Sequence, residues 1–270
     1  MTSSESRPRA LVTGASAGIG VAFTESLAKK GYDLILVARR RDRMEALAAR
    51  LLEDNGTKSE VLAADLADPR ALAEVEKRIG GDKRLSLLVN NAGFGGYRPF
   101  ASIEPSIVDG LIGVHISAVA RLTRAALPGM IERGSGAIVN IASLLALSGP
   151  LPPTPLPHRA TYAGAKAFLL VFTQALAGEL KGTGVKVQVC LPGRVDTEFH
   201  RLQGMDVSLL PPAMTAQDVA TASISALEKG EIVCIPGLAD AALFGALMET
   251  QVKVLRSAVS QNALPPRYRS

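Results

Sequence analysis

The sequence predicts an α/β fold built on a parallel sheet. From Arg9 onward, short β-branched or leucine-rich runs alternate with longer runs of helical period, the pattern of repeated βαβ units. A glycine-rich turn, Thr13-Gly14-Ala15-Ser16-Ala17-Gly18-Ile19-Gly20, separates the first of those runs from the helical pattern that follows it. A chain of 270 residues, 47% of them apolar, can also bury one large core.

Strands are expected at residues 10–13, 34–38, 59–63, 85–89, 137–141, 185–191 and 232–235, with helices between them. The chain has no fixed-period repeat, low-complexity tract or long linker, so one domain is expected over 9–260, with short tails at 1–8 and 261–270. Residues 1–8 are polar and mixed in charge, unlike a secretory signal, and no stretch is expected to reach the apolar length of a membrane span. Cys190 and Cys234 lie in strand-like apolar runs and read as buried, reduced thiols of a cytoplasmic protein. The net charge of +5 comes from basic residues scattered among acidic ones, and the chain has no tryptophan for base stacking, which argues against nucleic acid. The same excess suits an anionic small molecule. Membrane contact is not expected, nor is a metal.

The glycine turn is where chemistry enters. Three glycines allow a tight turn, a close approach to a diphosphate and close packing of helix on sheet, while free amides at the helix start attract anionic oxygens. The spacing is GxxxGxG and reads as a dinucleotide cradle. The second strand ends in Val37-Ala38-Arg39-Arg40-Arg41, where a bare ribose would call for an acid and a 2′-phosphate for a cation. Arg39 supplies the cation, and a charge-assisted hydrogen bond is worth about 1.5–3 kcal/mol, roughly ten- to hundredfold in affinity. NADP(H) is therefore expected over NAD(H). Arg40 and Arg41 read as solvating the start of a helix.

Further along, Asp65-Leu66, Asn90-Asn91-Ala92-Gly93 and Ser143 each follow a strand, at the ends where open parallel sheets bind ligands. Asp65 alone reads as a helix cap, and Ser143 alone as a cap or turn residue. The two asparagines are suited to tying neighbouring strand ends together by amide hydrogen bonds. Pro192-Gly193-Arg194-Val195-Asp196-Thr197 closes the sixth strand with a rigid turn. Residues 160–180 read as a helix, so Tyr162 and Lys166 project from one face, where an ammonium would draw the phenol toward neutrality. This helix is apolar nearly all round, which points to burial against another subunit.

Together, the turn at Thr13 to Gly20, Asn90-Asn91-Ala92-Gly93, Ser143, Tyr162-x-x-x-Lys166 and Pro192-Gly193 resemble the short-chain dehydrogenase/reductase family, in order and placement from about Arg9 to Thr197. The resemblance implies a Rossmann-like, doubly wound, seven-stranded domain that moves hydride between a nicotinamide cofactor and a carbonyl or secondary alcohol, in a homodimer or homotetramer. It implies Tyr162 as proton donor and acceptor, Lys166 on the nicotinamide ribose and Ser143 on the substrate oxygen. It also implies Gly14, Ser16, Gly18 and Ile19 along the diphosphate, Asp65 and Leu66 at the adenine, Asn91 and Gly93 on the adenosine side, and Val195 and Thr197 at the carboxamide. A 3-oxoacyl-thioester reductase, with Arg121, Arg124 and Arg133 meeting an anionic carrier arm, is the alternative enzyme. A sensor that binds NADP(H) without turnover is the non-enzymatic one.

Two departures stand out. Where the family usually has an asparagine that anchors a relay water, Val114-His115-Ile116-Ser117 carries histidine, either a relay itself or a packed helix residue. The spacer from Ser143 to Tyr162 is longer than the family pattern and holds Pro150, Pro152, Pro153, Pro155 and Pro157, a stiff loop that either shapes the substrate mouth or displaces Ser143. After Thr197, the apolar residues Phe199, Leu202, Met205, Val207, Leu209 and Leu210 up to Pro211-Pro212 read as a lid over 197–214 or as a short buried helix and loop. Residues 239–259 read as an amphipathic helix with Leu243, Leu247, Val252 and Leu255 on one side, able to pack on the sheet, on a partner subunit or weakly on a membrane surface, with packing as the default.

Overall fold

The computed structural model describes residues 7–154, 156–204 and 212–268. In chain order the elements are β1 (Arg9–Thr13), α1 (Gly18–Lys29), β2 (Asp33–Ala38), α2 (Arg41–Asn55), β3 (Ser59–Ala63), α3 (Pro69–Gly80), β4 (Leu85–Asn90), α4 (Pro105–Ile112), α5 (Ala118–Glu132), β5 (Gly136–Ile141), α6 (Ala160–Glu179), β6 (Val185–Cys190), β7 (Val195–Asp196), α7 (Glu198–Leu202), β8 (Met214–Thr215), α8 (Ala216–Glu228), β9 (Val233–Cys234) and α9 (Ala241–Val259). All seven expected strands are present and form one parallel sheet in the order β3-β2-β1-β4-β5-β6-β9. Sequence reasoning missed β7 and β8, which pair over two residues each and hold the loop after β6 beside α8. Such short strands have too little alternation to show a period.

Alternation along the strands divides the core into two layers. Ala10 and Val12 of β1 join Phe23 and Leu27 of α1, Met44 and Leu51 of α2 and Val219 and Ile224 of α8 on one face. Leu11 between them joins Leu72 and Val75 of α3, Leu122 and Met130 of α5 and Leu176 of α6 on the other. With both faces covered, every residue of β2 is buried, and from Leu34 to Ala38 the strand reads as an unbroken apolar run. The strand order reverses between β1 and β4. The crevice above their carboxyl ends is the switch point where such sheets receive ligands.

Two expectations need correction. The chain divides into two compact units, with the boundary between Pro236 and Gly237. No residue of α9 is buried, and Leu243, Leu247, Val252 and Leu255 are exposed. Secondly, the continuous helical run Pro105–Glu132 is long and apolar enough to pass for a membrane span by length and composition. Its inward residues Leu111, Val119, Leu122, Ala126 and Met130 are buried. Cys190 and Cys234, paired in register across β6 and β9, are both buried and free, as expected.

Candidate active site

The glycine turn opens the site. Gly14 and Gly18 adopt positive φ (68° and 52°), a conformation that side-chain-bearing residues avoid. Asn91 locks this turn onto β4, its amide donating to the Thr13 carbonyl at 2.9 Å while its backbone N–H donates to Thr13 Oγ1 at 2.8 Å. At the start of α1 the N-cap residue Ala17 makes no side-chain cap, so the first amides stay open toward the crevice. An uncapped helix start, with glycines too close to their neighbours for a Cβ, fits an anionic diphosphate.

Arg39 lines the same cavity, but its side chain is 75% exposed and reaches Asp65 at 3.9 Å. Arg40, expected only to solvate a helix, is drawn in: it donates to Ser16 Oγ at 3.2 Å and pairs with Glu198 at 2.6 Å. Arg43 reaches the same carboxylate at 3.1 Å, and Arg40 foremost holds Glu198 below the usual carboxylate range. Arg41 stays outside, paired with Glu45. Two arginines rather than one therefore stand at the end of β2. Asp65 is no helix cap, since Asp68 caps α3 by accepting from the Arg70 N–H at 2.9 Å. Asp65 and Leu66 face the cavity instead.

Beneath the crevice floor runs a buried polar ladder. The Asn90 amide donates to Asn140 Oδ1 at 2.9 Å, Asn140 donates to Thr173 Oγ1 at 2.9 Å, and Thr173 donates to the Leu169 carbonyl at 2.7 Å. These bonds tie β4, β5 and α6 together and so set the height at which α6 presents Tyr162 and Lys166. The strand-tying expected of the asparagine pair is present, with Asn90 reaching β5 and Asn91 reaching β1.

Tyr162 and Lys166 are both buried, with the lysine Nζ 5.6 Å from the phenol ring centroid and donating to the Ile141 carbonyl at 2.7 Å. The expected neutral-range phenol is not found in the protein alone. Burial pushes the Tyr162 phenol up to about 12 and pulls Lys166 down to about 7, because both charged forms lose water. What draws the phenol the other way is hydrogen bonding from Tyr97 and Ser143. The proline-bearing spacer has therefore not displaced Ser143, whose Oγ also accepts from the Leu145 N–H at 3.1 Å. Arg159 secures the spacer: it donates to Ser148 Oγ at 2.6 Å and to the carbonyls of Ser148 and Leu151 at 2.7 and 2.9 Å. Pro155 lies outside the described residues.

His115 sits on a π-helical turn, Gly113–Ser117, between α4 and α5. Its ring is 5.4 Å from that of Tyr162, its Nε2 is 2.9 Å from the Phe94 carbonyl, and its Nδ1 is buried without a partner. Burial, then the Lys166 charge, keeps it neutral, and since Nε2 also lies 3.3 Å from the Phe94 N–H, the tautomer sets whether it donates to the carbonyl or accepts from that N–H. Gly93 makes room for it, since a Cβ there would stand 2.3 Å from His115 Cε1.

The remaining wall is apolar. Gly14, Ser16, Gly18, Ile19, Asn91, Gly93, Ser143, Tyr162, Lys166, Pro192, Gly193, Val195 and Thr197 line one cavity of about 950 Å³ with Phe94, Tyr97, Leu144, Leu145, Leu156, Phe199 and Leu202. Thr197 caps α7, accepting from the Phe199 N–H at 3.3 Å. Of the expected lid, Phe199 and Leu202 reach the cavity, while Met205, Val207, Leu209, Leu210 and Pro211 lie outside the described residues. Arg121, Arg124 and Arg133 do not line it; Arg121 pairs with Glu76 and Arg133 donates to the Leu85 carbonyl. Sequence reasoning missed Tyr97 and Phe94. The only hint was the aromatics placed just after Asn90-Asn91-Ala92-Gly93.

Comparison with known proteins agrees with this geometry. The family described as short chain dehydrogenase matches residues 8–208. A very-long-chain 3-oxoacyl-CoA reductase of Anas platyrhynchos is 32% identical over 197 residues, 72% of this chain, and the match spans only 61% of that protein's length. Among solved structures, a short-chain dehydrogenase from Sphingobium yanoikuyae in complex with NADPH superposes with a TM-score of 0.91 at 37% identity, over 97% of this chain and 100% of that one. A bulky-bulky ketone specific alcohol dehydrogenase from Comamonas testosteroni superposes with a TM-score of 0.87 at 33% identity, over 97% and 99% of the two chains.

Proposed function

The chain belongs to the short-chain dehydrogenase/reductase family, and from that premise we propose that it is an NADP(H)-dependent oxidoreductase that interconverts an apolar ketone or aldehyde and its alcohol. The observation that carries this reading is one cavity holding the glycine cradle and two arginines at one end and the Tyr162, Ser143 and Lys166 groups at the other. Gly14, Ser16, Gly18 and Ile19 would hold the diphosphate, Arg39 and Arg40 a 2′-phosphate, Asp65 and Leu66 the adenine, Asn91 and Gly93 the adenosine side, and Pro192, Gly193, Val195 and Thr197 the nicotinamide end. Lys166 would hold the nicotinamide ribose. When bound, the cofactor supplies or accepts the hydride.

Ser143 positions the carbonyl oxygen, and Tyr162 gives that oxygen its proton as negative charge builds there; alcohol oxidation runs the proton the other way. The buried, still protonated phenol is ready as an acid in reduction. His115 acts as the relay: its Nδ1, buried without a partner in the protein alone, is the ring atom left to take up a hydrogen bond when the site is filled. His115→Leu should lower turnover about tenfold, the cost of one missing hydrogen bond, while His115→Asn restores most of it. Equal turnover in wild type and His115→Leu would reduce His115 to a packing residue.

The activity test is a panel of bulky ketones and secondary alcohols followed by NADPH absorbance, repeated with NADH. NADPH should give at least about tenfold higher kcat/KM. NADH used equally well would remove the role given to the arginines, and tight NADPH binding with an inert panel would favour a sensor. A 3-oxoacyl thioester is the second reading, favoured by the name of the Anas platyrhynchos relative. Arg121, Arg124 and Arg133 lie outside the cavity, so its carrier arm would have to be held within the cavity by other groups.

A further inference from the structure

Glu198 is a charged group of the cavity that the reaction outlined above leaves without a task. It opens α7, one residue past Thr197, yet its carboxylate reaches the start of α2: Oε1 pairs with Arg40 Nη2 at 2.6 Å and Oε2 accepts from Arg43 Nη1 at 3.1 Å. Arg40 is the N-cap residue of α2 and Arg43 lies in its first turn, so one carboxylate holds two guanidinium groups where β2 ends. The segment that carries Glu198 is itself held at both ends. Thr197 Oγ1 accepts from the Phe199 N–H at 3.3 Å, and its methyl group lies so close to the glycine turn that a Cβ on Gly18 would stand 2.8 Å from it. Just beyond α7, Gln203 Oε1 accepts from the Gly96 N–H at 2.7 Å. The side chains of Arg40 and Glu198 are 36% and 32% exposed, against 75% and 49% for Arg39 and Asp65, whose charges are 3.9 Å apart. The Glu198 pair is therefore the stronger of the two acid–base contacts at this end of the cavity.

We propose that Glu198 is a specificity-determining residue that works against the 2′-phosphate: its carboxylate sits on the arginines that a 2′-phosphate would use, and each NADP(H) that binds must displace it or bear its charge. This rests on Arg40 serving the 2′-phosphate, as in the reading above. Two nitrogens of Arg40 are engaged, Nε by Ser16 Oγ at 3.2 Å and Nη2 by Glu198. A phosphate that takes Nη2 competes with the carboxylate directly, and one that approaches the guanidinium elsewhere still meets a like charge close by. Both routes give the same sign. Removing the charge of Glu198 strengthens binding of the phosphate, while a nucleotide with a bare ribose gains nothing from it. NADP(H) affinity is thereby held below what the arginines could give, which suits a cofactor that must leave after each turnover.

The test is calorimetric titration of the wild type and Glu198→Gln with adenosine 2′,5′-bisphosphate and with 5′-AMP, two probes that differ only in the 2′-phosphate. The substitution keeps the size of the side chain and removes one charge. The bisphosphate should bind Glu198→Gln about fivefold tighter than the wild type, the order of one partly exposed ion pair, while 5′-AMP stays within about twofold. Glu198→Ala should show the same gain, and thermal unfolding checks that both variants are folded. Bisphosphate binding that is unchanged or weaker in these variants would overturn the proposal and make Glu198 a prop that holds Arg40 in place. An equal gain for both probes would overturn it too, since the carboxylate would then act on the part they share. If wild type and variants alike bind the two probes equally, the 2′-phosphate role of the arginines fails and takes this inference with it. Neither probe is turned over, so an inert ketone panel would not imitate any of these results.

Discussion

Tyr162→Phe should lower carbonyl reduction at least about hundredfold, the low end of what a positioned general acid contributes, while NADPH affinity stays within a few-fold of wild type. The substitution removes one buried hydroxyl and keeps the ring that packs against Tyr97, His115 and Phe199. Tyr97 and Ser143 line the same cavity, which is wide enough to admit water in place of the lost hydroxyl. The glycine cradle and the arginines at the far end are untouched, so binding and chemistry separate cleanly. Stopped-flow reduction and fluorescence titration with NADPH read the two. Turnover within tenfold of wild type would take the proton away from Tyr162. Ser143, which lines the same cavity, would then be the next group to examine.

Gly20→Ala should be the most damaging single methyl in the cofactor half. A Cβ there would stand 2.2 Å from the Gly14 carbonyl oxygen and 2.7 Å from Asn91 Nδ2. Both neighbours are held, the oxygen by the turn and the amide by its bond to Thr13 at 2.9 Å. Relief requires α1 to retreat by about 1 Å from β1. The amides at its N-terminus retreat with it, and a misplacement of about that size costs on the order of a hundredfold in kcat/KM. Overpacking adds about 1–3 kcal/mol of destabilisation, readable as a lower Tm. Wild-type NADPH affinity in Gly20→Ala would show that the diphosphate does not rest on this helix start.

The strands were legible because a sheet buried on both faces leaves nearly continuous apolar runs, and β2 is the plainest case. The glycine turn was legible because backbone geometry demands a particular residue type, a constraint that survives in sequence whatever packs around it. Arg40 was misread because nothing in Arg39-Arg40-Arg41 says which side chain turns inward. Glu198, 158 positions later, is what draws it toward Ser16. The state of the Tyr162 phenol was misjudged for a similar reason: the four-residue spacing puts a lysine nearby, but only the packed structure shows that the lysine has lost its water and much of its charge at neutral pH.

By itself the sequence determined the parallel α/β frame, the order of its strands along the chain, the cradle and the pairing of Tyr162 with Lys166, because each depends on local periodicity or on backbone sterics over a few residues. The tertiary structure alone decided that Tyr97 meets Tyr162, that Arg40 enters the cavity and that burial overrides the ammonium. Those outcomes depend on desolvation and on contacts between segments far apart in the chain, which no local spacing records.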